Sequence, residues 1–319
     1  MFRFFLYKFF KVLSKPYKTL DKEMFKKYVS EEKLIDEILI IKEFKHLWRE
    51  KLGNTVLKEK YKIQSIKINK LSNKYFLKVF VIHSFKLNNV NNRTSKEILQ
   101  FNFLIKNSKI FSTENKEYAL LSTGEPYNSL FSRNHISKLE FYSEKINNID
   151  SLYKEYLKIL PTFHRFNKTS SSLNPNKSLA ISYARKYALN YNSKYEDFND
   201  RGGDCTNFIS QCLAAGNIPL SKTWKPYSNT WLRVNELYYY LMRKGFGTPA
   251  TLEDNIHEGD ILQFFSNPKG YFAHSGIITQ LIDNNDMLYC CHSYDKLDFP
   301  LSEVYPILYN KLRFLNMHY

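Results

Sequence analysis

Gly202-Gly203-Asp204-Cys205 opens the run Thr206-Asn207-Phe208-Ile209-Ser210-Gln211-Cys212-Leu213, and the chemistry it offers is that of a thiol nucleophile. The glycine pair permits positive φ and close backbone approach, and Asp204 suits a helix N-cap, so a helix is expected to start at Cys205. Phe208, Ile209, Cys212 and Leu213 then share one face, and Gly216 stands where a helix end favours glycine. At a helix N-terminus the dipole and the unpaired N–H groups favour a thiolate, which should draw the thiol pKa toward neutral. The same N–H groups can hold a tetrahedral oxyanion.

A cysteine nucleophile needs a base, and the base needs an orienting partner. His257, His274, His292 and His318 are the candidates in the same half of the chain. His274 precedes the β-rich Ser275-Gly276-Ile277-Ile278-Thr279 and should open a strand, with small neighbours leaving room beside it. His257 lies in an acidic turn and reads as a surface residue, and His318 as a frayed one. The next hairpin returns a strand beside His274. A loop of about five residues centred on Asp283 sets His292 opposite it, whereas a tight turn at Asn284-Asn285 sets Asp295 there. His292 is the first choice of orienter and Asp295 the alternative.

The elements that must position these residues fall in the second of two regions. Residues 177–319 hold 14 Lys+Arg and 14 Asp+Glu, leaving 33 of the 47 basic and 17 of the 31 acidic residues in positions 1–176. The whole excess of +16 thus lies in the first half, and a field of that sign favours anionic partners. The Ser, Asn and Pro-rich stretch 164–177 coincides with the charge change and reads as a linker. Before it, residues 21–163 read as a small α+β domain. Helices over Lys22–Leu52 precede strand-like runs at Lys62–Leu71, Tyr75–Leu87, Ile98–Phe111 and Glu117–Ser122, and Ser137–Leu160 returns to helical spacing. After the linker, residues 178–319 begin with a helix at Ser178–Tyr191, add another at Asn229–Lys244, and continue with strands at Asp260–Phe265, Ser275–Ile282 and Met287–His292. The fold class is therefore α+β throughout, with no internal repeat.

Residues 1–20 form a basic amphipathic helix. Phe2, Phe5, Leu6, Phe9, Phe10 and Leu13 lie on one side and Arg3, Lys8, Lys11 and Lys15 on the other. Such a helix can lie on an anionic membrane or dock on its own domain. Lys8 and Lys11 interrupt the apolar run and no small-x-small cleavage site follows, so a secretory signal is not expected, and no run has the length of a transmembrane helix. A cytoplasmic, peripheral-membrane or envelope location fits this pattern. The four cysteines, Cys205, Cys212, Cys290 and Cys291, suggest neither a disulfide framework nor a zinc site. No metal or other cofactor is expected.

The cysteine block, Trp224, Ser228 with Trp231, Gly259-Asp260-Ile261-Leu262, His274-Ser275-Gly276-Ile277-Ile278-Thr279 and His292-Ser293 together resemble the amidase domain family of Gram-positive bacteria. That family is similar to the NlpC-type cell-wall peptidases and the papain superfamily. The resemblance covers about residues 178–319. It implies a papain-like fold, in which a helix carrying Cys205 packs on an antiparallel sheet carrying His274, and hydrolysis of an amide or peptide bond. Where the family often has an acidic residue just before the histidine, this chain has Ala273. By this reading Cys205 attacks a carbonyl, His274 carries its proton to the leaving amine, and His292 orients His274. The backbone N–H of Cys205, following Asp204, holds the oxyanion with Asn192 or Tyr195. Trp224, Tyr227 and Trp231 line the cleft, with core packing expected for at least one of them. The expected substrate is a peptide or muropeptide. A membrane or wall polymer is the expected anionic partner of the basic half, and nucleic acid is not. The first region resembles, more faintly, the cone-shaped domains of the nuclear-transport-factor type, and its His46, His83 and His135 read as ordinary residues. The competing reading is a catalytically silent papain-like binding module.

Overall fold

A computed structural model describes residues 2–90, 93–115, 137–159, 174–250, 256–282 and 286–319. They form two compact units, Met1–Tyr153 and Lys154–Tyr319. The expected linker 164–177 and the expected strand Glu117–Ser122 lie largely or wholly outside the described residues.

The first unit begins with α1 (Phe2–Leu13), α2 (Lys22–Lys26) and α3 (Glu32–Lys51), then a meander of β1 (Val56–Leu71), β2 (Lys74–Leu87), β3 (Ser95–Lys106) and β4 (Lys109–Asn115), and α4 (Lys138–Asn147). All adjacent strands of the meander pair antiparallel. β3 alternates buried and half-buried residues along its whole length, the period-2 signature of a sheet with one covered face. The run expected as one strand over Ile98–Phe111 is two strands. Asn107 and Ser108 adopt φ of 50° and 59°, the left-handed pair that closes a two-residue hairpin. α1 docks on this sheet: Leu6, Phe9 and Phe10 are buried, and the Phe10 ring meets Phe101 and Phe103 at centroid distances of 5.2 and 6.2 Å. The apolar stripe expected to choose between membrane and domain is therefore spent on the domain core, leaving Phe4 and Tyr7 exposed.

His83, expected to be ordinary, sits at the centre of a buried charged network. Its Nδ1 lies 2.8 Å from Glu97 Oε1 and its Nε2 3.0 Å from Glu59 Oε1, and Lys42 reaches Glu59 Oε2 at 2.9 Å. Burial disfavours the imidazolium, but the hydrogen bonds to both glutamates outweigh it and raise the pKa.

α5 (Ile149–Leu157) contains the division at Tyr153, and the second unit holds α6 (Pro175–Tyr187), α7 (Cys205–Ala215), α8 (Asn229–Leu232) and α9 (Val234–Arg243). Six strands follow: β5 (Gly247–Ala250), β6 (Ile261–Ser266), β7 (Tyr271–Ile282), β8 (Asp286–Cys291), β9 (Lys296–Pro300) and β10 (Leu312–Met317). Their order is β9-β8-β7-β6-β10-β5 with every pair antiparallel. α6, α7 and α9 bury Ala180, Ala184, Phe208, Ile209, Cys212, Leu213, Leu237 and Leu241 against Ile261, Ile277, Cys290, Leu315 and Met317 of the sheet. Small alanines on α6 let α7 approach closely, which fixes α7 as the central helix.

One feature of the sheet decides where chemistry can occur. β7 pairs with β6 as far as Tyr271, but its pairing with β8 stops at Ile277 opposite Cys290. From Tyr271 to Gly276 the β8-side edge of β7 is therefore unpaired, and the N-terminus of α7 meets it there.

Candidate functional site

The segment ahead of α7 is shaped by its glycines. Gly202 and Gly203 have φ of 106° and 110°, a region that side chains disfavour, and a Cβ on Gly203 would lie 3.2 Å from Ser293 Oγ. Ser293 Oγ accepts the Asp204 N–H and donates to Asn199 Oδ1, clasping this loop to the turn after β8. α7 begins at Cys205 as expected.

Asp204 occupies the N-cap position without capping the helix. Its Oδ1 accepts from the Phe198 N–H at 3.0 Å and from Asn207 Nδ2 at 2.8 Å, and its Oδ2 lies 2.6 Å from His292 Nδ1. With the carboxylate turned inward, it binds none of the first-turn N–H groups of α7.

His292 is held on every side. Nε2 lies 2.9 Å from the Tyr187 carbonyl and so donates its hydrogen there, while the ring is sandwiched between Tyr191 at 3.9 Å and Phe208 at 4.0 Å. Both nitrogens are thus engaged by groups other than His274. The hydrogen bond expected from His292 to His274 is absent, because His292 turns toward the helix N-terminus and fixes Asp204. Asp295 is engaged elsewhere too, accepting from the Tyr191 hydroxyl at 2.7 Å. The observed hairpin register, continued three residues past Ile277–Cys290, sets His274 opposite position 293, between the two expected alternatives. A bulge between Ile278 and Gln280 contributes to that offset.

Cys205 and His274 are both buried, at 7% and 4% exposure. The amide N–H of Ser275, the residue after His274, faces the Cys205 sulfur, and Thr206 Oγ1 lies 3.7 Å from it. The thiol therefore meets the unpaired edge of β7 next to the residue that carries the imidazole, and no hydrogen bond joins thiol and imidazole among the described residues. His274 has no hydrogen-bond partner there either, its ring contacts being Phe264, Tyr294 and Tyr309 at 5.3, 6.1 and 6.5 Å.

The electrostatics differ from the expectation for a helix N-terminus. Burial pushes the Cys205 thiol up from its ordinary pKa, and the Thr206 hydroxyl and the Ser275 amide offset only part of this. Burial, helped by the charge of Lys296, pushes the His274 imidazole down to about 3. At neutral pH the resting pair is a neutral thiol beside a neutral imidazole, because desolvation of both groups outweighs the dipole that was expected to make a thiolate.

The other expected site residues lie away from the sulfur. Asn192 donates to the Tyr183 hydroxyl, which donates to Gln211 Oε1 beyond the first turn of α7. Tyr195 packs on Trp231 with ring centroids 6.0 Å apart. Trp224 and Trp231 are fully buried in the helix–sheet core rather than lining a cleft, with indole N–H groups donating to Ser210 Oγ and Asn207 Oδ1. Tyr227, partly exposed, accepts the Glu196 N–H. His257 is exposed as expected, whereas His318 is not frayed: its N–H donates to the Phe246 carbonyl. Among the described residues no cluster of His, Cys, Asp or Glu is placed to hold a metal ion, and no helix is long and apolar enough to cross a membrane.

Sequence reasoning missed Tyr309. Its ring is 2% exposed, lies parallel to the His274 ring at 6.5 Å and packs on Phe264 at 4.6 Å. One tyrosine among 24, in a segment without a motif, carries no signal of its own.

Comparison with known proteins agrees with this part of the chain. Residues 174–314 match the family model described as "Putative amidase domain". The "Uncharacterized protein YjcM" of Bacillus subtilis (strain 168) is 34% identical over 131 residues, which is 38% of this chain and 31% of that protein. The "Uncharacterized protein YhbB" of the same organism is 30% identical over 129 residues, 36% of this chain and 40% of that protein. The matches thus span between about a third and two fifths of these relatives. No solved structure matches the chain. Residues 174–314 are therefore similar to an amidase-like hydrolase domain.

Proposed function

We propose that the second unit is a cysteine-dependent amide hydrolase in which Cys205 is the nucleophile and His274 the base. The observation that carries the reading is the meeting of the Cys205 sulfur, at a helix N-terminus whose N-cap side chain binds none of its N–H groups, with the strand edge bearing His274. The resting pair is neutral, so attack is coupled to proton transfer. As sulfur bonds to the amide carbon, its proton passes to His274 and the carbonyl electrons move to oxygen, which the first-turn N–H groups receive. His274 then protonates the leaving nitrogen as the C–N bond breaks, leaving a thioester. Water hydrolyses that thioester with His274 again taking a proton and returning it to sulfur. In this scheme His292 and Asp204 hold the nucleophile's loop, and no third residue orients His274.

The fold we read as papain-like, with the first unit an accessory domain of the nuclear-transport-factor type. Cell-wall peptides are the substrate class we favour, because a strongly basic first region suits an anionic wall polymer or membrane surface. The test is a digest of purified muropeptides by the wild-type chain and by Cys205→Ala, followed by mass spectrometry. Cleavage by the wild type alone supports the reading, and cleavage by neither removes the wall substrate. One observation favours the silent binding module instead: thiol and base are both buried and share no hydrogen bond. Under that reading Cys205 forms no covalent adduct with any carbonyl electrophile.

A further inference from the structure

Three buried polar groups in this part of the second unit form no hydrogen bond with one another. They are the Cys205 thiol, the His274 ring and the Tyr309 hydroxyl. Tyr309 Oη is buried and has no hydrogen-bond partner. A buried hydroxyl left unpaired costs free energy, so native structures rarely keep one without a ligand, a water or a function to account for it. The Tyr309 ring stacks parallel to that of His274 at 6.5 Å, and both rings rest on Phe264. Tyr294, Cys291 and Cys205 are close enough to act electrostatically on Tyr309. Its hydroxyl is therefore within electrostatic range of the nucleophilic sulfur and has nothing else to bind. Burial raises its pKa, so it remains a proton donor through neutral pH.

We infer that Tyr309 is a further catalytic residue of the Cys205 site, its hydroxyl donating a hydrogen bond to the amide carbonyl oxygen of the substrate as that oxygen becomes an oxyanion. The inference rests on the proposed thiol chemistry. It adds a side-chain donor opposite the backbone N–H groups of α7. No proton is transferred from Tyr309: the sulfur–carbon bond forms, the thiol proton goes to His274, and the electron pair released onto oxygen is held by Tyr309 O–H and the helix N–H groups. The arrangement selects carbonyl substrates, since an sp³ electrophile offers Tyr309 no oxygen.

The probe that isolates this role is N-acetyl-alaninal carrying ¹³C at the aldehyde carbon. Its hemithioacetal with Cys205 places an oxygen on the carbon bonded to sulfur, where the oxyanion forms, and iodoacetamide serves as the control electrophile because its thioether has no oxygen on that carbon. Adduct formation is followed by ¹³C NMR of the full chain, and alkylation by peptide mass spectrometry at Cys205. Tyr309→Phe removes only an oxygen that bonds to nothing in the protein, so its thermal midpoint and its Cys205 alkylation rate should stay within about two-fold of wild type. Its affinity for the aldehyde should fall ten- to hundred-fold, the range for losing a hydrogen bond to a charged acceptor. Equal aldehyde affinity in the wild type and Tyr309→Phe overturns the role of Tyr309 and leaves the thiol reading standing. Failure of the wild type itself to form the adduct, with alkylation intact, overturns the thiol reading and this inference with it.

Discussion

Asp204 Oδ2 and His292 Nδ1 are 2.6 Å apart across 88 residues of sequence, and this bond ties the residue before Cys205 to the turn after β8. Both groups are buried, and the pair orders the loop that presents Cys205. Removing either partner strands the other.

The first prediction follows from that pair. Asp204→Ala and His292→Ala should each cost about 3–5 kcal/mol, the range for breaking a buried pair. The double variant should cost less than the sum of the singles, because the two share one interaction. Urea denaturation of the four proteins in a cycle measures this, and additive losses would show that the two residues act independently.

The second concerns the pH profile of the Cys205 thiol. Because the Cys205 thiol is raised, its thiolate fraction at pH 7 is below that of a free cysteine. Alkylation by iodoacetamide without substrate should therefore be slow at neutral pH and keep rising past pH 9. Because His274 is neutral above about pH 3, kcat/KM for amide hydrolysis should be flat from about pH 5 to 8. An acid limb with its midpoint between 6 and 7 would assign His274 an ordinary, solvated imidazole.

A third prediction uses Asp286, whose carboxyl is pushed up to about 6 by burial against the opposing hydrogen bonds from Ser302 and the Met287 N–H. The unfolded carboxyl loses its proton near 3.8, the folded one near 6. Between these values the unfolded state binds fewer protons, so stability falls as pH rises through the window and is level above it. The loss is of order 3 kcal/mol. Asp286→Asn should flatten this part of the curve, read as the difference in urea stability between pH 4 and pH 7 for variant and wild type.

The fourth tests the N-terminal helix. Phe10 is buried among Phe9, Phe101 and Phe103, so Phe10→Ala should destabilise the first unit by about 3–5 kcal/mol. A helix held for a membrane surface would lose nothing in solution. Thermal denaturation without lipid distinguishes the two.

The fifth separates core from cleft. Trp231→Phe removes the 2.7 Å bond to Asn207 Oδ1 and leaves that oxygen buried, at a cost of about 1–3 kcal/mol. Stability should fall while KM for any amide substrate stays within about two-fold.

The local features of the second unit could be read from the chain. Glycine conformation, helix phase and the small residues after His274 act within a few residues, so the start of α7 at Cys205 and a strand carrying His274 followed from spacing alone. β5, β9 and β10 did not follow. They are short, and their pairings join residues far apart in sequence, Met317 with Gly247 for example. Trp224 and Trp231 looked like cleft residues because composition cannot tell an aromatic over a groove from one beneath a helix. Asn107-Ser108 carried a turn signal inside an apolar run, and the run concealed it.

By itself, then, the sequence determined that α7 begins at Cys205 and which strand carries His274, since both depend on backbone conformation set by neighbouring residues. Only the tertiary structure decided their protonation, the partner of His292 and the presence of Tyr309 beside them. Desolvation sums over contacts drawn from the whole unit, and a hairpin register offset by a bulge moves a side chain from one partner to another. For that reason the thiol that a helix N-terminus alone would ionise stays neutral in the folded protein.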